Sequence, residues 1–209
     1  MMQAFALDTV DSTNEEAKRL IRRGELRGSA YVLAREQTSG RGSRGRSWAS
    51  PRDAGIYLSV VELPDGKAIA PTAVFTLATG VACVEALIET AGAAVQLKPV
   101  NDLYVDGRKL GGILTETLLR GGKVEALITG VGINVHRADR DVSAGGAEPI
   151  CLAEVIPPDR FAQLDISTLT AALVARIHRW NAMVFGKRLD EVRRAWDRHK
   201  IPGTVLPKS

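Results

Sequence analysis

The sequence predicts an α+β domain in which a mostly antiparallel, mixed sheet is flanked by helices. Three observations lead there. Apolar residues recur with the helical period over residues 74–88 and 169–184, whereas from Val95 to Val135 they follow the period of two that belongs to strands. Two turn signals, Asp106-Gly107 and Gly121-Gly122, cut that stretch into consecutive hairpins. The helical blocks are grouped rather than placed after every strand, which separates the pattern from alternating α/β folds.

In chain order, residues 3–7 read as a short strand. Asp11-Ser12-Thr13-Asn14-Glu15-Glu16 opens a helix, with Ser12 and Glu15, or Thr13 and Glu16, in capping-box spacing, and Gly24 ends it. Residues 30–35 (AYVLAR) make a second strand and residues 56–63, rich in β-branched side chains, a third. Pro71 takes the first position of the next helix, whose face of Val74, Leu77, Ala78, Val81, Val84 and Ile88 is buried until Gly92. The hairpin strands follow over 95–97, 103–105, 110–117 and 124–135. Residues 137–149 are polar and glycine-rich, which predicts a mobile loop. Leu169, Leu173, Ile177, Trp180 and Val184 then share one helical face, and a last helix spans 189–200.

Composition bounds what this domain can be. With 209 residues, 45% hydrophobic and 25% charged, the chain can bury one substantial core. A mean hydropathy of −0.02 fits a globular protein, and disordered, collagen-like and coiled-coil classes are excluded. The reading is one domain over residues 1–200 with a short tail, 201–209. No apolar run approaches the roughly 18 residues of a membrane span. Residues 1–10 lack the basic flank and apolar stretch of a secretion signal, so the expectation is a cytoplasmic protein without a membrane partner. Cys83 and Cys151 belong to no Cys-x-x-Cys or Cys/His group, which argues against a disulfide or a structural zinc. The net charge of +4 favours nucleic acid, a phosphorylated ligand or an acidic partner without choosing among them.

The distribution of charge says more. Arg35, Arg41, Arg44, Arg46 and Arg52 crowd the segment that also holds Gly40, Gly42 and Gly45. Glycines let backbone N–H groups approach an anion and arginines add permanent forked charge, so the segment reads as a mobile phosphate-binding loop. Gly40-Arg41-Gly42-Ser43-Arg44-Gly45 also fits the dinucleotide fingerprint, with Glu62 and Asp65 about 20 residues on. That fingerprint needs a helix to open at the glycines, whereas Pro51 and Gly55 interrupt the chain and lead into a strand. A kinase glycine loop fails for want of the His-Arg-Asp and Asp-Phe-Gly motifs. Further on, Lys98, Asn101, Asp102 and Lys109 surround one hairpin, and Gly111 and Gly112 leave room for a ligand beside Lys109.

Five blocks occur in order: Ser12-Thr13-Asn14; Gln37 with Gly40-Arg41-Gly42-Ser43-Arg44-Gly45-Arg46-Ser47-Trp48; Lys98-Pro99-Val100-Asn101-Asp102; Gly107-Arg108-Lys109-Leu110-Gly111-Gly112-Ile113-Leu114; and Gly130-Val131-Gly132-Ile133-Asn134-Val135. Together they resemble the catalytic domain of biotin protein ligases over residues 4–184. Taken singly, Ser12-Thr13-Asn14 reads as a helix cap and Trp48, Trp180 and Trp196 as packing; joint occurrence carries the resemblance. It implies a class II synthetase-like fold and a two-step reaction. Biotin and Mg-ATP give biotinyl-5′-adenylate and pyrophosphate, and a lysine of a biotin carboxyl carrier domain of acetyl-CoA carboxylase, or of a related carboxylase, takes the acyl group. ATP and Mg2+ are the implied cofactors and biotin the substrate. No enzyme nucleophile is required, in keeping with His136, His178 and His199 belonging to no Ser/His/Asp or Cys/His set.

By the same resemblance, Ser12, Thr13 and Gln37 bind biotin at its ureido head, with the Arg41 backbone at that end, and Asn14 and Gly42 are further biotin-binding residues. Gly111, Gly112, Leu114 and Gly132 form the apolar slot, and Lys109 contacts the biotin carboxylate and the α-phosphate. Lys109, Arg41 and Arg46 are the catalytic candidates. Arg44, Arg46 and Trp48 fold over the adenylate, Lys98 and Asn101 serve its phosphates, Asn134 lies beside the nucleotide, and Asp102 is the metal candidate. Ser43 stands where the family usually has arginine, and Pro99-Val100 where it has Trp-Pro. Relatives often form homodimers, and many carry a winged-helix DNA-binding domain before this region and an SH3-like barrel after it. Neither is expected in this chain, and no DNA partner with them. Other readings of the same residues are a non-catalytic relative that binds biotin or its adenylate, and a lipoate or octanoyl ligase, whose usual Arg-Arg-x-x-Gly-Gly-Gly block is absent. A basic RNA-binding module is a third.

Overall fold

The computed structural model describes residues 2–64, 69–139 and 147–206; Asp65 and residues 140–146 of the expected mobile loop lie outside the described residues. β1 (Gln3–Val10), α1 (Thr13–Arg22) and β2 (Ala30–Gln37) form a parallel crossover unit, and β3 (Gly55–Glu62) turns back antiparallel to β2. α2 (Thr72–Ala91) crosses to β4 (Gln96–Lys98). From there β5 (Asp102–Val105), β6 (Arg108–Arg120) and β7 (Lys123–Asn134) return strand by strand until β7 pairs with β3. The 7-stranded sheet has the order β1-β2-β3-β7-β6-β5-β4. α3 (Leu152–Val155), α4 (Pro158–Ala162), α5 (Ile166–Phe185) and α6 (Leu189–His199) complete the chain.

Each face of the sheet has its own core. On one, Ala17, Leu20 and Ile21 of α1, spaced three and four apart, bury against Val32, Val61 and Ile128. On the other, α2 and α5 pack antiparallel: Trp180 Nε1 donates to Glu85 at 2.9 Å and the Phe75 and Phe185 rings lie 5.0 Å apart. Strand alternation assigns the faces. Ile56, Leu58 and Val60 of β3 join the α2 core, while Ser59 and Val61 face α1. Each such apolar side chain contributes about 1.5–3 kcal/mol on burial.

Four details differ from the sequence reading. Ser12 is the N-cap of α1, but its own side chain makes no capping bond; Gln37 takes the Thr13 N–H instead, and Glu15 is drawn to Lys18 and Arg41, whose charges outweigh one capping bond. Pro71 caps α2 from outside, at ψ 142°, rather than opening it. α2 has 20 residues at mean hydropathy 1.5, long and apolar enough to cross a membrane by composition, so an apolar run of that length does exist. It is apolar all round because it is the central core helix, with the sheet below and α5 and α6 beside it. The four and five residues of α3 and α4 were not expected, being too short to show a period.

Candidate active site

The first turn of α1, the glycine loop and the α1 face of β5, β6 and β7 enclose a cavity of about 370 Å3. Its polar end is a chain of hydrogen bonds. Gln37 Oε1 accepts from the Thr13 N–H at 2.8 Å and lies 3.1 Å from the Thr13 hydroxyl, while Gln37 Nε2 donates to Ser50 Oγ at 2.7 Å. Asn14 is wholly engaged: Nδ2 donates to Glu116 Oε2 at 2.8 Å, and Oδ1 accepts from the buried Ser59 hydroxyl at 2.6 Å. Ser12 is buried, and among the described residues its hydroxyl makes no hydrogen bond, which leaves it to a ligand.

The opposite end is cationic. Lys109 Nζ stands 2.7 Å from Asp102 Oδ1, an ion pair off the hydrogen-bonding direction of the carboxylate. Lys98 Nζ lies 4.7 Å above the Tyr104 ring and donates to its hydroxyl at 3.2 Å. A bulge sets this geometry. Leu103 pairs with Gly111 but Tyr104 pairs with Lys109, so Leu110 is an extra residue on β6. Lys109 and Gly112, three apart, therefore meet on the cavity side, while Leu110 joins the α2 core.

Gly112, Gly130 and Gly132 form the floor, and the Trp48 indole lies on it; a Cβ added at Gly132 would collide with the ring. The Trp48 Nε1 is buried with no hydrogen-bond partner among the described residues, and Lys109 Nζ is 5.5 Å from the ring centre. The glycine loop, expected to be mobile, is folded as a narrow hairpin. Gln37 pairs with Ser50 and Arg41 with Ser47, and a three-residue 3-10 turn, Ser43–Gly45, carries Arg44 at φ 59°. Arg46 Nη2 donates to Ser43 Oγ at 3.2 Å, and Asn101 Nδ2 reaches the same oxygen at 3.4 Å.

The cavity gathers Ser12, Thr13, Asn14, Gln37, Arg41, Gly42, Arg46, Trp48, Lys98, Asn101, Asp102, Lys109, Gly112, Leu114, Gly132 and Asn134. Gly111 and Arg44 are left out. The bulge turns Gly111 to the other face, against Leu103 and Ile133, and Arg44 points into solvent from the tip of the turn. Arg41 lines the wall, but its guanidinium leaves for Glu15 and Glu116. Arg35 and Arg52 pair with Asp53 and Asp8 on the surface, outside the cavity. Glu62, the acidic residue downstream of the glycine loop, is buried and pairs with Ser29 and His178, away from the cavity. Sequence reasoning missed Tyr104, Ser59 and Glu116. Tyr104 was within reach of it, since it stands two residues from Asp102 on one strand and so shares its face.

As a metal centre the donor set does not suffice. Among the described residues, Asp102 is the only carboxylate lining the cavity and is held by Lys109, and no cluster of three His, Cys, Asp or Glu occurs. A magnesium ion would come on a nucleotide, as part of the substrate.

This arrangement has relatives. The model of the biotin/lipoate A/B protein ligase family matches residues 6–134. A biotin--[acetyl-CoA-carboxylase] ligase of Paracoccus denitrificans is 35% identical over 199 residues, which cover 91% of this chain and 78% of the relative. The bifunctional ligase/repressor BirA of Escherichia coli is 36% identical over 172 residues, 82% of this chain and 51% of that protein. The structure of a biotin protein ligase from Aquifex aeolicus in complex with biotin and ATP superposes with a TM-score of 0.76 at 26% identity, covering 96% of this chain and 79% of that one. The chain belongs to the biotin/lipoate A/B protein ligase family.

Proposed function

We propose that this protein is an ATP-dependent biotin protein ligase, which activates biotin as biotinyl-5′-adenylate and transfers it to a lysine of a biotin carboxyl carrier domain, of acetyl-CoA carboxylase or a related carboxylase. One observation carries the reading: the order of chemistry along the cavity. Uncharged donors and acceptors on Ser12, Thr13 and Gln37 stand at one end, a glycine floor follows, and Lys109 and Lys98 close the other. A ligand with a neutral urea, an aliphatic stretch and a terminal carboxylate matches that order. The names of the Paracoccus and Aquifex relatives support it.

In the first step a biotin carboxylate oxygen attacks the α-phosphorus of Mg-ATP, and the bond to pyrophosphate breaks. Two anions must approach, so Lys109 serves best between carboxylate and α-phosphate, where its charge counters their repulsion. Lys98, held by Tyr104, and Arg46 face the phosphates, Asn101 anchors the turn below them, and Asn134 packs beside the nucleotide. Trp48 covers the bound chain and excludes water, which would hydrolyse the mixed anhydride. In the second step the acceptor amine attacks the acyl carbon and AMP leaves. The protein supplies no nucleophile for either step.

The test is pyrophosphate release by the purified chain with Mg-ATP and biotin, lipoate or octanoate. Release with biotin alone, and label transfer to a carrier domain, is expected. Release with lipoate but not biotin, or biotin binding without any release, overturns the reading.

A further inference from the structure

We propose that Glu116 is a positioning residue that holds the glycine loop onto the polar end of the cavity; the proposal rests on the ligase reading of that cavity. Glu116 follows Gly112 and Leu114 at intervals of two on β6 and so faces the same side. Its side chain is 19% exposed. Oε2 accepts from Asn14 Nδ2 at 2.8 Å, and Oε1 faces Lys18 Nζ at 2.9 Å and Arg41 Nη2 at 3.4 Å. Lys18, at 2.8 Å, and Arg41 also both reach Glu15. Four charges thus alternate in a ring, Lys18, Glu116, Arg41 and Glu15, with zero sum. Arg41 is the member contributed by the glycine loop.

The far end of the loop enters the same network. Ser50 Oγ donates to the Trp48 carbonyl at 3.1 Å and accepts from Gln37, which holds Thr13. The Thr13 and Ser59 hydroxyls are 2.8 Å apart, and Ser59 reaches Asn14 at 2.6 Å. Chemistry fixes the directions. A carboxylate only accepts, so the Asn14 amide nitrogen faces Glu116 and its oxygen faces Ser59, which must give it its one proton. Thr13 in turn donates its hydroxyl proton to Ser59, and its backbone N–H keeps the link to Gln37. Both Arg41 and Trp48 are therefore tied to one chain of bonds running beneath the groups assigned to the ureido head, and Glu116 is the carboxylate joining its two arms. Without that charge, Lys18 and Arg41 compete for Glu15 alone, and the loop loses its anchor.

Glu116→Gln keeps the shape and leaves Asn14 an acceptor. In the full chain without substrates, trypsin cleavage after Arg41, Arg44 and Arg46 is expected to quicken about tenfold, the scale of one charge-assisted hydrogen bond. The KM for biotin rises about tenfold while kcat stays within about twofold, since the residue touches no reacting atom. The thermal midpoint holds, Glu116→Asp recovers part of the KM, and Arg41→Gln adds little on top of Glu116→Gln. Unchanged cleavage and KM overturn the proposal; so does a lowered thermal midpoint with kcat falling as far as kcat/KM. The cleavage assay needs no biotin, so an unaltered chain that never turns over would sink the ligase reading while still leaving the anchor tested.

Discussion

Lys109 Nζ stands 2.7 Å from Asp102 Oδ1, and the two side chains are 18% and 16% exposed. The cation assigned to the reacting groups is thus held in place by a carboxylate on the neighbouring strand. Orientation comes from that partner, because a lysine stem left free would sample many rotamers.

Removing the cation should stop the chemistry without unfolding the chain. Lys109→Ala is expected to slow biotin-dependent pyrophosphate release by about 100-fold or more, the scale of losing one electrostatic contact to the transition state. Its melting curve stays cooperative. Release within a few-fold of the unaltered chain would remove Lys109 from its role.

Two glycines on opposite faces of the sheet, Gly111 on β6 and Gly132 on β7, should fail differently. At Gly111 an added Cβ would lie 2.7 Å from the backbone oxygen of Gly132, which cannot yield, so Gly111→Ala lowers the thermal midpoint. At Gly132 the collision is with the Trp48 side chain, on a loop that can move, so Gly132→Ala should raise the KM for biotin about tenfold or more with a smaller loss of stability. The same phenotype from both would contradict the placement of the two glycines on opposite faces.

Ser43 is where charge can be added back. Its hydroxyl now accepts from the Arg46 guanidinium at 3.2 Å and from Asn101 at 3.4 Å, adding no charge of its own at the mouth of the cationic end. Ser43→Arg puts a third cation beside Arg46 and Lys98, so release of biotinyl-adenylate, followed by rapid filtration after one turnover, is expected to slow about tenfold. An unchanged release rate would contradict it.

Acid should loosen the first helix. The Arg19 fork holds Asp11 at a pKa of about 2, below its ordinary 3.8, with the Ser12 N–H assisting. A depressed carboxylate contributes above its unfolded value and loses that contribution as pH falls from about 4 toward 2. Half-exposed, it contributes about 1 kcal/mol or less. Burial also lowers the His199 pKa, a term present above 6.5 and lost as pH falls below it. Denaturant midpoints should therefore decline in two stages, and Arg19→Gln should make the lower one shallower without abolishing it, because Asp165, held at about 2 chiefly by the Thr168 and Ser167 hydroxyls, does not depend on Arg19. A single stage in the unaltered chain would refute this. At alkaline pH, burial and Glu154 push the Cys151 thiol up to about 11, so iodoacetamide at pH 8 should leave it unmodified until the chain unfolds.

Period and punctuation carried the fold a long way. Strand alternation in β5 to β7, the two hairpin turns and the apolar face of α5 are local patterns and were legible in the sequence, whereas Ile88, read as part of the buried face of α2, is 46% exposed. The composition of α2 was misjudged, since a central core helix and a membrane span satisfy one hydropathy test. In the site, residues brought together by short spacing, such as Lys109 and Gly112, were legible in type but not in face. Counting alternate residues from Lys109 puts Gly111 in the cavity; an extra residue on β6 reverses that, and nothing in Lys109-Leu110-Gly111-Gly112 announces a bulge.

The sequence by itself determined the class of fold, the glycine and arginine content of the loop, and which blocks supply the polar and cationic ends. Those follow from side-chain chemistry and from periods of two and 3.6 residues, which act over one or two turns. Only the tertiary structure decided that Arg41 leaves the cavity for Glu15 and Glu116, that Trp48 lies on Gly132, and that Glu116 links Asn14 to the loop. The contacts of Asn14 and Arg41 with Glu116 join residues 102 and 75 positions apart. Charge pairing and packing over such separations depend on sheet register, which a local pattern does not encode.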